Sequence, residues 1–128
     1  AFHEVLIHAD CKPLCIYANA RQMTELLSNL LSNAIKYNKP GGEVWVTITE
    51  EDKEMIIRVK DNGMGIPKES LGRIFERFYR VDKGRSRKQG GTGLGLSIVK
   101  HIAGYYHGTI TVQSELEAGT EFTVKIPI

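Results

Sequence analysis

The sequence predicts an α+β fold, a two-layer sandwich with helices on one face of a mixed, mostly antiparallel sheet. Three observations carry this expectation. Short runs of alternating apolar residues occur near both ends of the chain and in its middle. Two longer segments switch to apolar spacings of three and four. The resulting order is strands, helix, strands, helices, strands, which segregates the helices into one layer.

The elements follow in order. "EVLIHAD" and "LCIYA" predict two short strands around "CKP". From Ala20 to Tyr37, Met23, Leu26, Leu27, Leu30, Leu31, Ala34 and Ile35 recur at helical spacing. Asn19 is a good N-cap, and Gln22 stands where a capping box needs its partner. "NKPGG" stops this helix. "EVWVTIT" and "EMIIRVK" predict a hairpin with Val44, Val46 and Ile48 on one face. "PKESLGRIF" predicts a short helix with Pro67 near its first turn. Residues 76–92 form a basic, glycine-bearing loop. "LGLSIVKHIAGYY" predicts a second long helix, on which Leu94, Ile98 and Ile102 recur every four residues. "GTITVQS" and "GTEFTVKIPI" predict a closing hairpin.

Composition narrows the class. The 128 residues suit one compact domain spanning 1–128, and 41% hydrophobic with 25% charged residues is globular rather than disordered. A net charge of +2 is too small to suggest a nucleic-acid partner. No apolar run is long enough to span a bilayer, and no signal-peptide pattern opens the chain. Cys11 and Cys15 make no disulfide framework, and the expectation is two reduced thiols. The start without Met fits a fragment of a longer protein.

Three stretches carry polar chemistry. On the first helix Glu25, Asn29 and Asn33 form an i, i+4 series, which drifts by only about 40° per step. Lys36 falls near the same line. A solvated face would account for it, but such faces favour Glu and Lys over Asn, a poorer helix former. Amide oxygens are hard ligands suited to Mg²⁺, Lys can meet a phosphate, and Glu can take a proton. "GGTGLGLS", residues 90–97, matches neither a P-loop, since Leu96 replaces the Lys, nor a dinucleotide fingerprint, since no strand precedes it. Its glycines still let backbone N–H groups approach an anion at a helix start, behind a loop rich in Arg and Lys. A merely soluble surface loop is the alternative. In "DNGMGIP", Asp61 accepts hydrogen bonds, and Gly63 and Gly65 leave room for a flat ring against the backbone. The stretch reads either as the base end of a nucleotide pocket or as a turn with a capping Asp.

Taken together and in order, "ELLSNLLSNAIKY", "DNGMGIP", "FERFYR" and "GGTGLGLS" resemble the ATP-binding catalytic domain of bacterial sensor histidine kinases. That domain belongs with the gyrase B, mismatch-repair and heat-shock chaperone ATPases and has the Bergerat-type sandwich, with about three helices on one face of the sheet and a mobile ATP lid. The resemblance covers nearly the whole chain and puts the lid at about 76–92.

The resemblance implies a role for each residue. Asn29 would coordinate Mg²⁺, Asn33 and Lys36 would lie against the phosphates, and Tyr37 would flank the adenine. Glu25 would be the general base or orienting group. Asp61 would bond the adenine amino group, with Gly63 and Gly65 making room and Thr120 of "GTEF" supporting the contact. Phe75 and Phe78 would anchor the lid, and Arg80 would reach the phosphates or a partner domain. Gly91, Gly93 and Gly95 would hinge the lid and cradle phosphate. Ile66, Tyr79, Thr92, Leu94 and Leu96 would complete the ATP site.

The expected cofactors are ATP and Mg²⁺. The expected partners are the dimerisation and histidine phospho-acceptor domain of a parent kinase and, indirectly, a response regulator. His3-Glu4, His8, His101 and His107 lack the context of a phospho-acceptor, so the chain is expected to bind ATP without carrying its own. The fragment would be monomeric and cytoplasmic, and its parent homodimeric and anchored in the bacterial membrane. Two rivals keep the fold: an ATP hydrolase in which Glu25 polarises water, and a non-catalytic adaptor.

Overall fold

The computed structural model of the chain describes residues 4–77, 79 and 95–128. Among these residues five strands and two α-helices run in the order β1 (Val5–Cys11), α1 (Ala20–Lys36), β2 (Gly42–Glu51), β3 (Glu54–Asp61), α2 (Gly95–Tyr105), β4 (Thr109–Glu115) and β5 (Gly119–Pro127). The sheet order is β1-β2-β3-β5-β4. Only β1 and β2 are parallel; the other three pairings are antiparallel. Parallel neighbours need a crossover, and α1 supplies it.

The apolar positions read from the sequence close one core. Leu26, Leu30 and Ala34 descend from α1, and Val99, Ile102 and Ala103 from α2. They meet Val44, Val46, Ile57, Val59, Phe122 and Val124 on the inner face of the sheet. Trp45, Thr47, Arg58, Lys60, Thr123 and Lys125 stand on the other face and are half-buried or exposed. The two α-helices run antiparallel: the Asn19 N–H at the start of α1 donates to Tyr106 Oη beyond the end of α2 (2.9 Å), while Asn29 faces Gly95 at the start of α2.

Asn19 caps α1 as expected, its Oδ1 accepting the Gln22 N–H at 3.1 Å. The reciprocal half of the capping box is not made. The Gln22 side chain accepts from Tyr106 Oη instead, and that hydroxyl takes the Asn19 N–H.

Two expectations are corrected. Residues 14–18 are not a strand. Leu14 and Ile16 do turn toward the core, and Cys15 and Tyr17 are exposed, so the alternation is real. The segment joins no ladder, and Pro13 before it offers no N–H to one. "PKESLGRIF" forms a single 3₁₀ turn, Lys68–Ser70, continued by i→i+3 bonds from Arg73 to Ser70 and Glu76 to Arg73, both 2.9 Å. With Gly72 in its middle the segment tightens into 3₁₀ turns rather than an α-helix.

Candidate functional site

Asp61 ends β3 and is 5% exposed. It pairs with Val44 on one side and Thr120 on the other. Its Oδ1 accepts the Gly63 N–H at 2.9 Å, an Asx-type turn, and a further backbone hydrogen bond joins the carboxylate to Thr120. Burial pushes its pKa above the ordinary carboxylate value, and the bonds from Gly63 and Thr120 pull part of the way back. The two readings of "DNGMGIP" are therefore compatible: the carboxylate caps its own turn and retains acceptor capacity.

The glycines answer to the protein's own backbone. A Cβ on Gly63 would stand 2.5 Å from the Tyr37 carbonyl oxygen. Gly65 has φ +75°, and its Cβ would stand 2.2 Å from the Glu115 carbonyl oxygen. The space read from the sequence as room for a flat ring is, on those sides, filled by the end of α1 and by the β4–β5 turn. The Met64 N–H also donates to the Tyr37 oxygen at 3.2 Å, so the loop after Asp61 is tied to the C-terminus of α1.

Asn29, Asn33 and Lys36 are half-buried on α1, as is Tyr37 at its C-cap, whereas Glu25 is exposed. Asn29 Nδ2 donates to the Glu25 carbonyl oxygen at 2.8 Å, and its Oδ1 faces the start of α2. That oxygen lies 3.1 Å from the place a Cβ on Gly95 would take. The asparagine stripe and the end of the glycine-rich segment thus meet. The start of α2 as described, at the positive end of its dipole, stands beside the amide oxygen of Asn29. From Tyr37 to Asn29 is about 12 Å along α1, and Glu25 stands about 6 Å farther on. It borders a cleft with Arg21, Gln22, Tyr105 and Tyr106.

Phe75 packs edge-on to Phe122, with ring centroids 6.2 Å apart, and Lys100 Nζ sits 5.8 Å above the Phe75 ring. Tyr79 Oη donates to Ser70 Oγ at 2.9 Å beneath the Arg73 guanidinium. Ile66 and Leu96 pack against the core. Phe78, Arg80, Gly91, Thr92, Gly93 and Leu94 lie outside the described residues, as do His3 and most of the expected lid. His8 pairs with Glu43, and His101 and His107 are exposed.

Among the described residues no group of three or more His, Cys, Asp or Glu could hold a metal. The donor set would suit Mg²⁺ held largely by phosphate and water, with one amide oxygen from the protein, since Asn29 bonds Glu25 through Nδ2 and not through its oxygen. Cys11 and Cys15 are exposed free thiols.

Three supporting residues escaped the sequence reading. Asn62 Oδ1 accepts the Glu43 N–H at 2.8 Å and docks the turn on β2. Asn38 is 5% exposed and bonds the Glu43 carbonyl and the Lys39 N–H. Ser114 Oγ meets the Ile66 N–H (2.8 Å), the Gly119 carbonyl (3.0 Å) and Thr120 Oγ1 (2.8 Å). Asn62 lay in plain view inside "DNG", but nothing local signalled the other two.

Residues 18–128 match the family described as histidine kinase-, DNA gyrase B-, and HSP90-like ATPase. The chain is 47% identical over 112 residues to the sensor histidine kinase RppB of Synechocystis sp., covering 88% of this chain and 25% of that protein. It is 44% identical over 117 residues to the sensor protein SrrB of Staphylococcus aureus, covering 91% of this chain and 20% of that protein. It therefore spans a quarter or less of these relatives. Among solved structures, the mycobacterial sensor histidine kinase MprB superposes with a TM-score of 0.86 at 29% identity, over 96% of this chain and 83% of that one. Full-length ShkA in complex with AMPPNP gives 0.80 at 31% identity, over 96% of this chain and 25% of that one. The mixed five-stranded sheet agrees with these likenesses, and the family match covers most of the chain: it belongs to the histidine kinase-, DNA gyrase B- and HSP90-like ATPase family.

Proposed function

We propose that the chain binds Mg·ATP along α1 and supplies its γ-phosphate to a histidine on a separate dimerisation domain of a parent sensor kinase, for onward transfer to a response regulator. The observation that carries this reading is that one helix anchors both ends of the site. Its C-terminus, at Tyr37, is tied to the loop holding Asp61, and its middle, at Asn29, abuts the start of α2. Asp61 accepts the adenine amino group, and Asn33 and Lys36 flank the phosphates. Asn29 offers its amide oxygen to Mg²⁺. When bound, the ion would neutralise charge on the β- and γ-phosphates.

Transfer is then largely a matter of positioning. An imidazole nitrogen attacks the γ-phosphorus in line, a new N–P bond forms, and the P–O bond to ADP breaks with its electron pair leaving on ADP. The imidazole proton goes to Glu25, the acid one turn beyond Asn29. Phe78, Arg80 and residues 91–94 complete the lid side in this reading. The fragment is monomeric. Its parent is a homodimer anchored in the bacterial membrane, with this domain on the cytoplasmic side; among the described residues no helix is long and apolar enough to cross a membrane. Calorimetric titration of an ATP analogue with and without Mg²⁺, on wild type and Asp61→Asn, tests the reading. Mg²⁺-dependent binding that Asp61→Asn abolishes supports it, and no binding by wild type overturns it.

A further inference from the structure

Ser114 stands outside every motif, yet its hydroxyl is the meeting point of three elements. The Ile66 N–H from the "DNGMGIP" loop can only donate to it. The Gly119 carbonyl can only accept from it. Thr120 Oγ1, the third contact, could do either. A serine hydroxyl has one proton and two lone pairs. One assignment satisfies all three contacts: Ser114 donates to Gly119, accepts from Ile66, and accepts from Thr120. The Thr120 proton is then committed to Ser114, and only lone pairs remain on Thr120 Oγ1.

Thr120 is the register partner of Asp61, so the two side chains share one face of the sheet a few ångströms apart. Both are nearly buried, at 6% and 5% exposed. An ionised Asp61 offers acceptors only. With the Thr120 proton turned away, the Asp61–Thr120 pair accepts and does not donate. Such an end suits a base with an exocyclic amino group, as adenine has at position 6. It leaves the 6-oxo group of guanine or hypoxanthine facing acceptors without a donor.

We propose that Ser114 is a specificity-determining residue, which selects a 6-amino over a 6-oxo purine by holding the Thr120 hydroxyl as an acceptor beside Asp61. It is a positioning residue, acting through Thr120. The inference rests on the nucleotide reading above and deepens it. Freed of Ser114, the Thr120 hydroxyl can rotate and donate to a 6-oxo group. Loss of Ser114 should therefore tighten binding of the 6-oxo nucleotide while weakening that of ATP. A residue that merely braced the loop would weaken both alike.

The test titrates ATP and inosine triphosphate, which differ at position 6 and at N1 of the ring, against wild type, Ser114→Ala, Ser114→Thr and Thr120→Val, with thermal melts of each. Wild type should prefer ATP. Ser114→Ala should lower the ATP-to-inosine-triphosphate ratio about tenfold, and Ser114→Thr should restore it. In Thr120→Val, which keeps the shape, the ratio should fall, and adding Ser114→Ala should lower it no further. An unchanged ratio in Ser114→Ala, or equal losses for both nucleotides, overturns the role of Ser114 and leaves the ATP site standing. If Ser114→Ala does not fold, an unchanged ratio in Thr120→Val overturns it equally. Failure of wild type to bind ATP overturns the nucleotide reading itself, and the assignment with it.

Discussion

Asn29 and Gly95 touch across the antiparallel helices: a Cβ on Gly95 would come within 3.1 Å of Asn29 Oδ1. The first helical residue of α2 is therefore sized to the amide that α1 presents. Gly95→Ala should leave the fold intact, since alanine favours the helix. It should push the Asn29 amide by a few tenths of an ångström. We expect Mg²⁺-dependent ATP affinity to fall about three- to tenfold, with Mg²⁺-free affinity less affected. Paired calorimetric titrations measure both.

Asp61 couples binding to stability with opposite signs. Its folded pKa is raised, chiefly by burial, above the ordinary value of 3.8. The folded state therefore holds the proton more tightly than the unfolded chain. The stabilisation this confers is full below the unfolded pKa and is lost as pH rises through the folded one. At neutral pH the ionised carboxylate weighs against the empty fold. Asp61→Asn should raise Tm at pH 7 by roughly 2–5 °C while abolishing ATP binding, and the gain should shrink on acidification. A Tm series between pH 3 and 8 reads this out. In wild type, ATP affinity should begin to fall at a higher pH than for an ordinary Asp.

Gly65 joins a positive φ to a close backbone approach, with the Glu115 carbonyl only 2.2 Å from its would-be Cβ. Gly65→Ala has neither an unstrained conformation nor a flexible neighbour to displace. We expect a loss of roughly 2–4 kcal/mol in urea unfolding, and weaker ATP binding because the loop carrying Asp61 is sprung from the β4–β5 turn.

In the proposed reaction, Glu25 separates binding from transfer. It is exposed and about 6 Å beyond Asn29 along the helix. Glu25→Gln should leave ATP affinity unchanged and slow phosphoryl transfer to a separately supplied acceptor domain by about a hundredfold. Equal loss of affinity and rate would remove it from the proton's path.

Much of this was legible because it was local. The leucine spacing of α1 and the alternation of β2, β3 and β5 are written within short windows, and they close the core as expected. Asp61, Asn29 and the glycines stood out by residue type. Leu14 to Ala18 misled because their alternation reports burial, whereas a strand also needs a hydrogen-bonded neighbour, which alternation does not report. Lys68 to Phe75 misled because helical period does not distinguish α from 3₁₀ over so few residues. Ser114 and Asn38 were invisible for another reason. Ser114 meets Ile66 across 48 residues of chain, and Asn38 draws its importance from being buried beneath Glu43. No window of sequence contains such facts.

The Asp61–Thr120 pair joins residues about 60 apart in the chain, where β3 meets β5. The β2–β3 and β4–β5 hairpins can each zip locally, but neither alone contains the proposed base end of the pocket. That end exists only after the two hairpins have docked, the step with the larger loop-closure cost. A nucleotide held there can therefore recognise only the finished domain. It should slow unfolding without hastening folding, so ATP would act on this chain as a latch rather than as a template.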